Sequence, residues 1–139
     1  MLEEAKYFIY RFGYEGLLQS FVQKDLPQMK KGDMCADKIK SMPDFVVMDK
    51  EGNVSFVEVK FRAQREVNGE LRERIGRAAR YWPEARLLIV YPSEPHFMIS
   101  SFPAFARTGK LYPLERDKFL RVNKELIADY GDLIKNYIR

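Results

Sequence analysis

The sequence predicts an α/β fold, in which helices flank a mixed β-sheet and a helical segment follows at the C-terminal end. Two runs rich in Val and Phe flank a polar, Gly-containing turn at residues 49–53, which is typical of a β-hairpin. An amphipathic stretch then leads to a continuous apolar run at residues 87–91. A hairpin followed by a helical crossover to a buried strand indicates a mixed sheet covered by helices.

The composition is that of one globular domain. The chain has 139 residues, of which 46% are hydrophobic and 32% charged, so it can form a core beneath a charged surface. We expect a single domain over residues 1–139, with its core in about 1–102 and a helical extension over about 115–139. No apolar run is long enough to cross a bilayer, and the acidic N-terminus is unlike a secretory signal. A cytoplasmic location without a membrane partner is therefore expected.

The region before the hairpin is predicted to contain a helix, a strand and a loop. Apolar residues recur at helical spacing over residues 2–12, and Gly13 stands where a helix would end. Residues 16–22 are interpreted as a strand, with a continued helix as the alternative. Residues 24–42 turn polar and irregular, which predicts a long loop or a short helical excursion.

The region after the hairpin alternates between helical and strand patterns. Residues 70–82 predict a helix that Pro83 ends, with five residues on its apolar face: Leu71, Ile75, Ala78, Ala79 and Trp82. The apolar run at 87–91 predicts a strand buried on both faces, and residues 97–102 predict a further strand. From about residue 115 the pattern is helical again, with a break expected at Gly131.

The scarcity of cysteine and histidine excludes several kinds of active site. Cys35 is the only cysteine and His96 the only histidine. An internal disulfide, a Cys-based zinc site, a Ser-His-Asp triad and a multi-histidine metal centre are therefore excluded within this chain. Hydrolytic chemistry would have to rely on carboxylates, lysine and a hard cation. The net charge of +4 allows a polyanionic partner without requiring one.

The register of the hairpin brings two carboxylates together. If Met48 faces Val54, then Asp44 faces Glu58, and Lys60 projects from the same side of the sheet as Glu58. Directly opposed Cβ atoms lie about 4.5–5.5 Å apart, close enough for both carboxylates to bind one divalent cation such as Mg²⁺. Without a cation they would repel. The alternative is a solvated end of the sheet on which charged residues happen to fall.

These residues carry a resemblance to a known family. Pro43-Asp44, followed one hairpin later by Glu58-Val59-Lys60, resembles the PD-(D/E)XK nuclease superfamily. The layout over residues 1–102 is similar to that of archaeal Holliday-junction resolvases and restriction endonucleases. The resemblance implies a restriction-endonuclease-like sheet and metal-dependent hydrolysis of DNA.

The resemblance also implies a role for each motif residue. Asp44, Glu58 and the backbone carbonyl of Val59 would bind Mg²⁺ or Mn²⁺, and Lys60 would orient and polarise the attacking water. The family often adds a glutamate from the first helix. Glu4 is the choice here on its helical position, Glu3 and Glu15 remain open, and an ordinary solvated acid is the alternative.

Basic residues outside the motif are candidates for contact with nucleic acid. The predicted helix after Lys60 contains four arginines: Arg72, Arg74, Arg77 and Arg80. The long loop predicted over residues 24–42, before the hairpin, contains Lys30 and Lys31. Solvated surface charge explains them equally well. Tyr81 and Trp82 are expected in the core and at the helix end, and His96 at a strand edge.

Two questions of function stay open at this point. The C-terminal amphipathic stretch is expected to pack on its own domain, with a homodimer contact as the alternative. A nuclease-like fold that binds nucleic acid or a protein without cleavage is the second hypothesis for function. A small-molecule phosphohydrolase is disfavoured, because the chain has no Gly-rich phosphate loop.

Overall fold

A computed structural model describes residues 1–11, 34–65 and 69–137, without the side chains of 34–36. These ranges contain a six-stranded sheet in the order β1-β2-β3-β4-β5-β6. The strands are Phe8–Arg11, Phe45–Met48, Val54–Phe61, Arg86–Val90, Phe97–Ser101 and Tyr112–Pro113. The helices are α1 (Met34–Lys40), α2 (Gly69–Tyr81), α3 (Phe102–Thr108) and α4 (Lys124–Tyr137), with a 3₁₀ turn at Leu114–Arg116. β3 and β4 are parallel and the other neighbours antiparallel, so the predicted mixed α/β sheet with flanking helices and a C-terminal helix is confirmed.

The N-terminal residues form an edge strand and not the predicted helix. A single turn closes with a hydrogen bond from Ala5 N–H to the Met1 carbonyl, and Lys6 then takes a left-handed φ of 71° that ends it. Residues 8–11 pair antiparallel with β2, Phe8 lying opposite Met48. The helical prediction was wrong because tertiary pairing with β2 outweighed a local spacing of apolar residues. Gly13, the strand expected at 16–22 and the loop over 24–33 lie outside the described residues, whereas α1 is the short helical excursion.

The hairpin has the predicted register. Met48 pairs with Val54 and Val46 with Phe56. Asp49 N–H donates to the Asn53 carbonyl, and Gly52 takes the positive φ of 86° that the turn requires. The predicted faces of β2 and β3 follow from this register.

Helices α2 and α3 cover one face of the sheet. The helix predicted over 70–82 is confirmed, and Leu71, Ile75 and Ala78 are buried against β4 and α3. The strand predicted over 87–91 is likewise confirmed, with Leu87, Leu88 and Ile89 buried. Phe102 was expected to be the last residue of a strand, but it is the first residue of α3. Ser101 caps this helix, because its hydroxyl accepts a hydrogen bond from Ala104 N–H.

The C-terminal segment covers the other face. Leu126, Ile127, Tyr130 and Ile134 of α4 pack on the cluster formed by Val47, Val57, Leu88 and Ile99. This supports packing on the same domain. The predicted start near residue 115 was wrong, because buried Asp117 accepts hydrogen bonds from Arg86 and from Leu120 N–H and holds residues 117–122 in irregular structure.

Gly131 does not break the C-terminal helix. The residue is buried, and a Cβ atom added there would lie 2.8 Å from Cδ2 of His96. His96 directly precedes β5, at the end of that strand, and it is only 5% exposed. The glycine therefore allows close packing of α4 on the imidazole ring. No helix in the described ranges has the length and apolar character to cross a membrane.

Candidate active site

Two crossed hydrogen bonds join Asp44 to the Glu58-Val59 segment. The β2–β3 ladder ends at the pair Phe45 and Val57, whereas β3 continues to Phe61, past the start of β2. Asp44 Oδ2 accepts a hydrogen bond from Val59 N–H at 3.0 Å, and Glu58 Oε2 accepts one from Asp44 N–H at 3.2 Å. The side chains thus satisfy backbone donors where the ladder stops.

Lys60 completes a three-residue cluster on this sheet face. Because side chains alternate along β3, Glu58 and Lys60 project to the face that carries α2. The Lys60 ammonium lies 2.8 Å from Glu58 Oε1, with the two side chains 25% and 12% exposed. The structure therefore brings Asp44, Glu58 and Lys60 together.

The electrostatic environment raises the pKa of Glu58. Burial of the carboxyl is the largest cause, and the negative charge of Asp44 raises the pKa further. The hydrogen bond and charge of Lys60, and the more distant charge of Arg74, lower it and only partly offset the increase. A carboxyl with a raised pKa beside a second carboxylate and a lysine is typical of functional sites.

A cavity of about 340 Å³ opens beside Glu58. It lies between the end of α1 and the face of α2, with α3 beneath. Among the described residues, four basic side chains line it together with the acids Asp37 and Glu58: Lys40, Arg74, Arg77 and Arg80. The remaining lining is mostly apolar or aromatic: Ser41, Met42, Ile75, Ala78, Tyr81 and Phe102. The cavity thus combines a cationic lining with an apolar one.

The arginines of α2 fall into two groups. Arg72 donates to the carbonyls of Ala106 and Arg107 at the end of α3, so it links the two helices and lies away from the cavity. Within the described ranges, Arg74, Arg77 and Arg80 have no ion-pair or hydrogen-bond partner, and all three line the cavity. This second group is placed to bind an anion in the cavity.

Glu4 is not brought to this cluster. Its carboxylate accepts a hydrogen bond of 2.5 Å from the Tyr130 hydroxyl, and neighbouring residues 5–7 line a second cavity with the hairpin loop. That end of the sheet is separated from Asp44 by the four residues of β2, roughly 13 Å at 3.3 Å per residue. The prediction placed Glu4 on a first helix over residues 2–12, but residues 8–11 form the strand β1 and no such helix is present there. Glu3 lies in the same N-terminal turn, and Glu15, Lys30 and Lys31 lie outside the described residues.

The oxygen atoms at Asp44 and Glu58 fit a hard divalent cation. Among the described residues, Oδ1 of Asp44 has no hydrogen-bond donor, and Oε1 of Glu58 faces the positive charge of Lys60. Two carboxylates with water match the preference of Mg²⁺ or Mn²⁺ for a few protein oxygens. In the part of the chain that the structure describes, no group of three or more Asp, Glu, His or Cys side chains is arranged to hold a metal ion.

Sequence reasoning missed the contribution of α1 and of the two residues that follow it. Lys40, Ser41 and Met42 line the cavity, and so does Tyr81, which the sequence assigned to the core. A signal was present, because residues 40–42 directly precede Pro43-Asp44 and must lie near the site. The helical structure that places them was left open in the sequence.

The fold and site define an α/β protein with a carboxylate-lysine cluster beside a cationic cavity. Comparison with solved structures finds similarity to a Holliday junction resolvase of Archaeoglobus fulgidus, an archaeal hyperthermophile. The two chains are 16% identical, with 94% of this chain and 91% of the other covered and a TM-score of 0.43. No family model and no curated protein matches the chain. The function is therefore inferred from the side chains described above.

Proposed function

We propose that this protein is a Mg²⁺- or Mn²⁺-dependent nuclease that hydrolyses phosphodiester bonds in DNA. The observation that carries the proposal is the pair of crossed hydrogen bonds between Asp44 and the Glu58-Val59 segment. These bonds satisfy backbone donors where the ladder stops, but uncharged Asn and Gln oxygens would do the same without the repulsion between two carboxylates. A bound cation turns this repulsion into an advantage.

Asp44, Glu58 and the backbone carbonyl of Val59 would hold the cation. When bound, it supplies Lewis-acid activation of water and neutralisation of charge on the phosphoryl group. The Lys60 ammonium, 2.8 Å from Glu58, is within the same cluster. From there it would donate a hydrogen bond to the attacking water or to a nonbridging phosphate oxygen and stabilise the developing charge.

The arginines of α2 that line the cavity would bind the DNA backbone. Arg74 and Arg77 line the cavity that also contains Glu58, and the charge of Arg74 acts on the Glu58 carboxyl. Guanidinium groups bind phosphate oxygens through paired hydrogen bonds. A phosphodiester held there would lie next to the carboxylates. Lys30 and Lys31 remain candidates for further backbone contacts.

A nuclease-like fold that binds nucleic acid without cutting it is the second candidate. The ion pair between Lys60 and Glu58 favours it, because Glu58 already has a positive partner without a metal. Cation binding would have to compete with that ammonium. Assays of DNA cleavage and of DNA binding separate the two candidates.

The test is cleavage of supercoiled plasmid DNA in Mg²⁺, in Mn²⁺ and in EDTA. We expect cleavage only with the divalent cation, and a rate reduced on the order of 100-fold or more in Asp44→Asn and Glu58→Gln. Glu115→Gln, at an exposed site on the 3₁₀ turn, is the matched control and should cut at the wild-type rate. Salt-sensitive DNA binding without cleavage in any cation would favour the binding module. The absence of both binding and cleavage would remove nucleic acid as the substrate.

A further inference from the structure

The cavity beside Glu58 has the size and chemistry to hold one nucleotide. Pockets for small ligands begin at about 300 Å³, so its volume of about 340 Å³ fits a single base with its sugar and excludes a stacked base pair. DNA in a continuous duplex would touch only the rim. The interior would be reached by a nucleotide that has left the stack.

The cavity lining contains both the apolar side chains that a base would contact and the basic side chains that a phosphate would contact. Ile75, Ala78 and Phe102 form the apolar part of the lining, and Tyr81 is its aromatic residue. Base-binding sites in proteins combine apolar or aromatic walls with charged groups for the backbone. Lys40, Arg74, Arg77 and Arg80 supply the charge here, against two acids in the same lining.

The cavity is also held open by fixed contacts. The carbonyl of Lys38 in α1 accepts a hydrogen bond of 3.0 Å from the Trp82 indole, and the Lys38 ammonium lies 5.5 Å from the centre of that ring. Trp82 in turn packs edge-on against Phe56 of β3. These contacts tie the α1 wall to the end of α2, so binding a ligand requires little further ordering of this wall.

We propose that this pocket binds a single unpaired nucleotide of DNA next to the phosphodiester that is cut. The inference rests on the proposed nuclease function and adds a substrate class to it: DNA with a single-stranded tail, a bulge or an unpaired position, in preference to a blunt duplex. Unpairing a base in a duplex has an energetic cost, and a nucleotide that is already unpaired avoids it. The selectivity would therefore come from the pocket without any reading of sequence.

The test compares two DNA ligands of equal charge. Each is a 20-base-pair duplex with a tail of three nucleotides, and in one the tail carries bases while in the other it consists of abasic sugar-phosphate units. Binding is measured by fluorescence anisotropy in EDTA, so that metal and cleavage play no part. Base stacking on an aromatic side chain predicts about tenfold tighter binding of the tail with bases.

Two variants assign that preference to the pocket. Tyr81→Ala removes the aromatic wall, and Ala78→Leu fills part of the volume. Both should bring the affinity ratio of the two ligands close to one. Tyr137→Ala, at a side chain that is 82% exposed on α4, is the matched control and should keep the ratio. Melting temperatures show that each variant is folded, and if Ala78→Leu is not, Tyr81→Ala alone decides the assignment.

The possible failures are distinguishable. Equal affinity of the wild type for both tails would overturn the nucleotide pocket and leave the nuclease untouched, since plasmid cleavage measures it independently. A tenfold preference that survives in both variants would overturn the assignment to this cavity. Absence of binding to any of these DNAs at low salt would overturn the pocket and the proposed function together.

Discussion

Replacing Asp44 by Asn should stabilise the metal-free protein and abolish its response to metal. The substitution removes one negative charge of the pair, and an amide oxygen can still accept the hydrogen bond from Val59 N–H. Like charges on opposed strand positions cost about 0.2–1 kcal/mol. For a domain of this size, about 1 kcal/mol corresponds to roughly 2–8 °C in melting temperature. In EDTA we therefore expect Asp44→Asn to melt a few degrees above the wild type.

Metal should stabilise the wild type and not the variant. A cation at 100 times its dissociation constant stabilises the native state by about 2.7 kcal/mol, since it binds the folded pair and not the unfolded chain. Millimolar Mn²⁺ should raise the melting temperature of the wild type well beyond the gain from the substitution and leave Asp44→Asn almost unchanged. Asp129→Asn, an exposed acid on α4, is the control and should behave as the wild type in both conditions.

The pH dependence of the same melts supplies a further check. Burial and the charge of Asp44 raise the pKa of Glu58 above its value in the unfolded chain. The folded protein then binds more protons between the ordinary and the raised pKa, so the free energy of unfolding falls as pH rises through that interval. Asp44→Asn removes one of the raising charges and should reduce this fall. Mn²⁺ competes with the proton, so its stabilising effect should grow with pH.

Thermal unfolding in EDTA and in Mn²⁺, over a series of pH values, measures all these quantities. Damage to the fold would lower the melting temperature of Asp44→Asn in both conditions, which is the reverse of the expected increase in EDTA. A wild type that melts at one temperature with and without Mn²⁺ would refute the shared cation site. So would a variant that keeps the metal response.

Three other substitutions test separate parts of the structure. Lys60→Ala should keep the metal-induced rise in melting temperature and lower the single-turnover cleavage rate on the order of 100-fold, and an unchanged rate would assign the chemistry elsewhere. Arg77→Gln should reduce the dependence of log affinity for DNA on log salt by about 0.9, whereas Arg116→Gln, which lies outside the cavity, should leave that slope unchanged. Gly131→Ala should lower the free energy of unfolding by about 1–2 kcal/mol, because the new Cβ would meet the imidazole ring at 2.8 Å. Gly76→Ala, where the nearest side-chain atom is 3.7 Å from such a Cβ, should be neutral or stabilising, and equal effects at the two glycines would contradict the close-packing argument.

The local sequence pattern was sufficient to predict the hairpin and its register. Its turn residues and alternating strands predicted the register that pairs Met48 with Val54, and that register alone predicted Asp44 opposite Glu58. Both depend on contacts between residues close in sequence, and one face of each strand has to meet the core. The helix at α2 and the buried strand β4 were predictable for the same reason, because their apolar periodicity is strong and uninterrupted.

The ends of the chain show where local pattern fails. Residues 2–12 have helical spacing, yet residues 8–11 form an edge strand because β2 offers them a ladder of hydrogen bonds. The prediction of Glu4 as an active-site residue depended on that helix and was lost with it. Gly131 likewise resembles a helix break in the sequence, and only the position of His96, thirty-five residues earlier, gives the glycine its role.

The sequence by itself determined the α/β class, the hairpin and the neighbourhood of Asp44, Glu58 and Lys60, since these follow from side-chain periodicity within one short stretch. Only the tertiary structure decided which arginines of α2 line the cavity. Arg72 is bound to the carbonyls of α3, whereas Arg74, Arg77 and Arg80 line a cavity with Glu58. All four lie in the same helix. The difference arises because the face of a helix acquires a partner only when elements distant in the chain pack against it, and periodicity within the helix does not specify what that partner is.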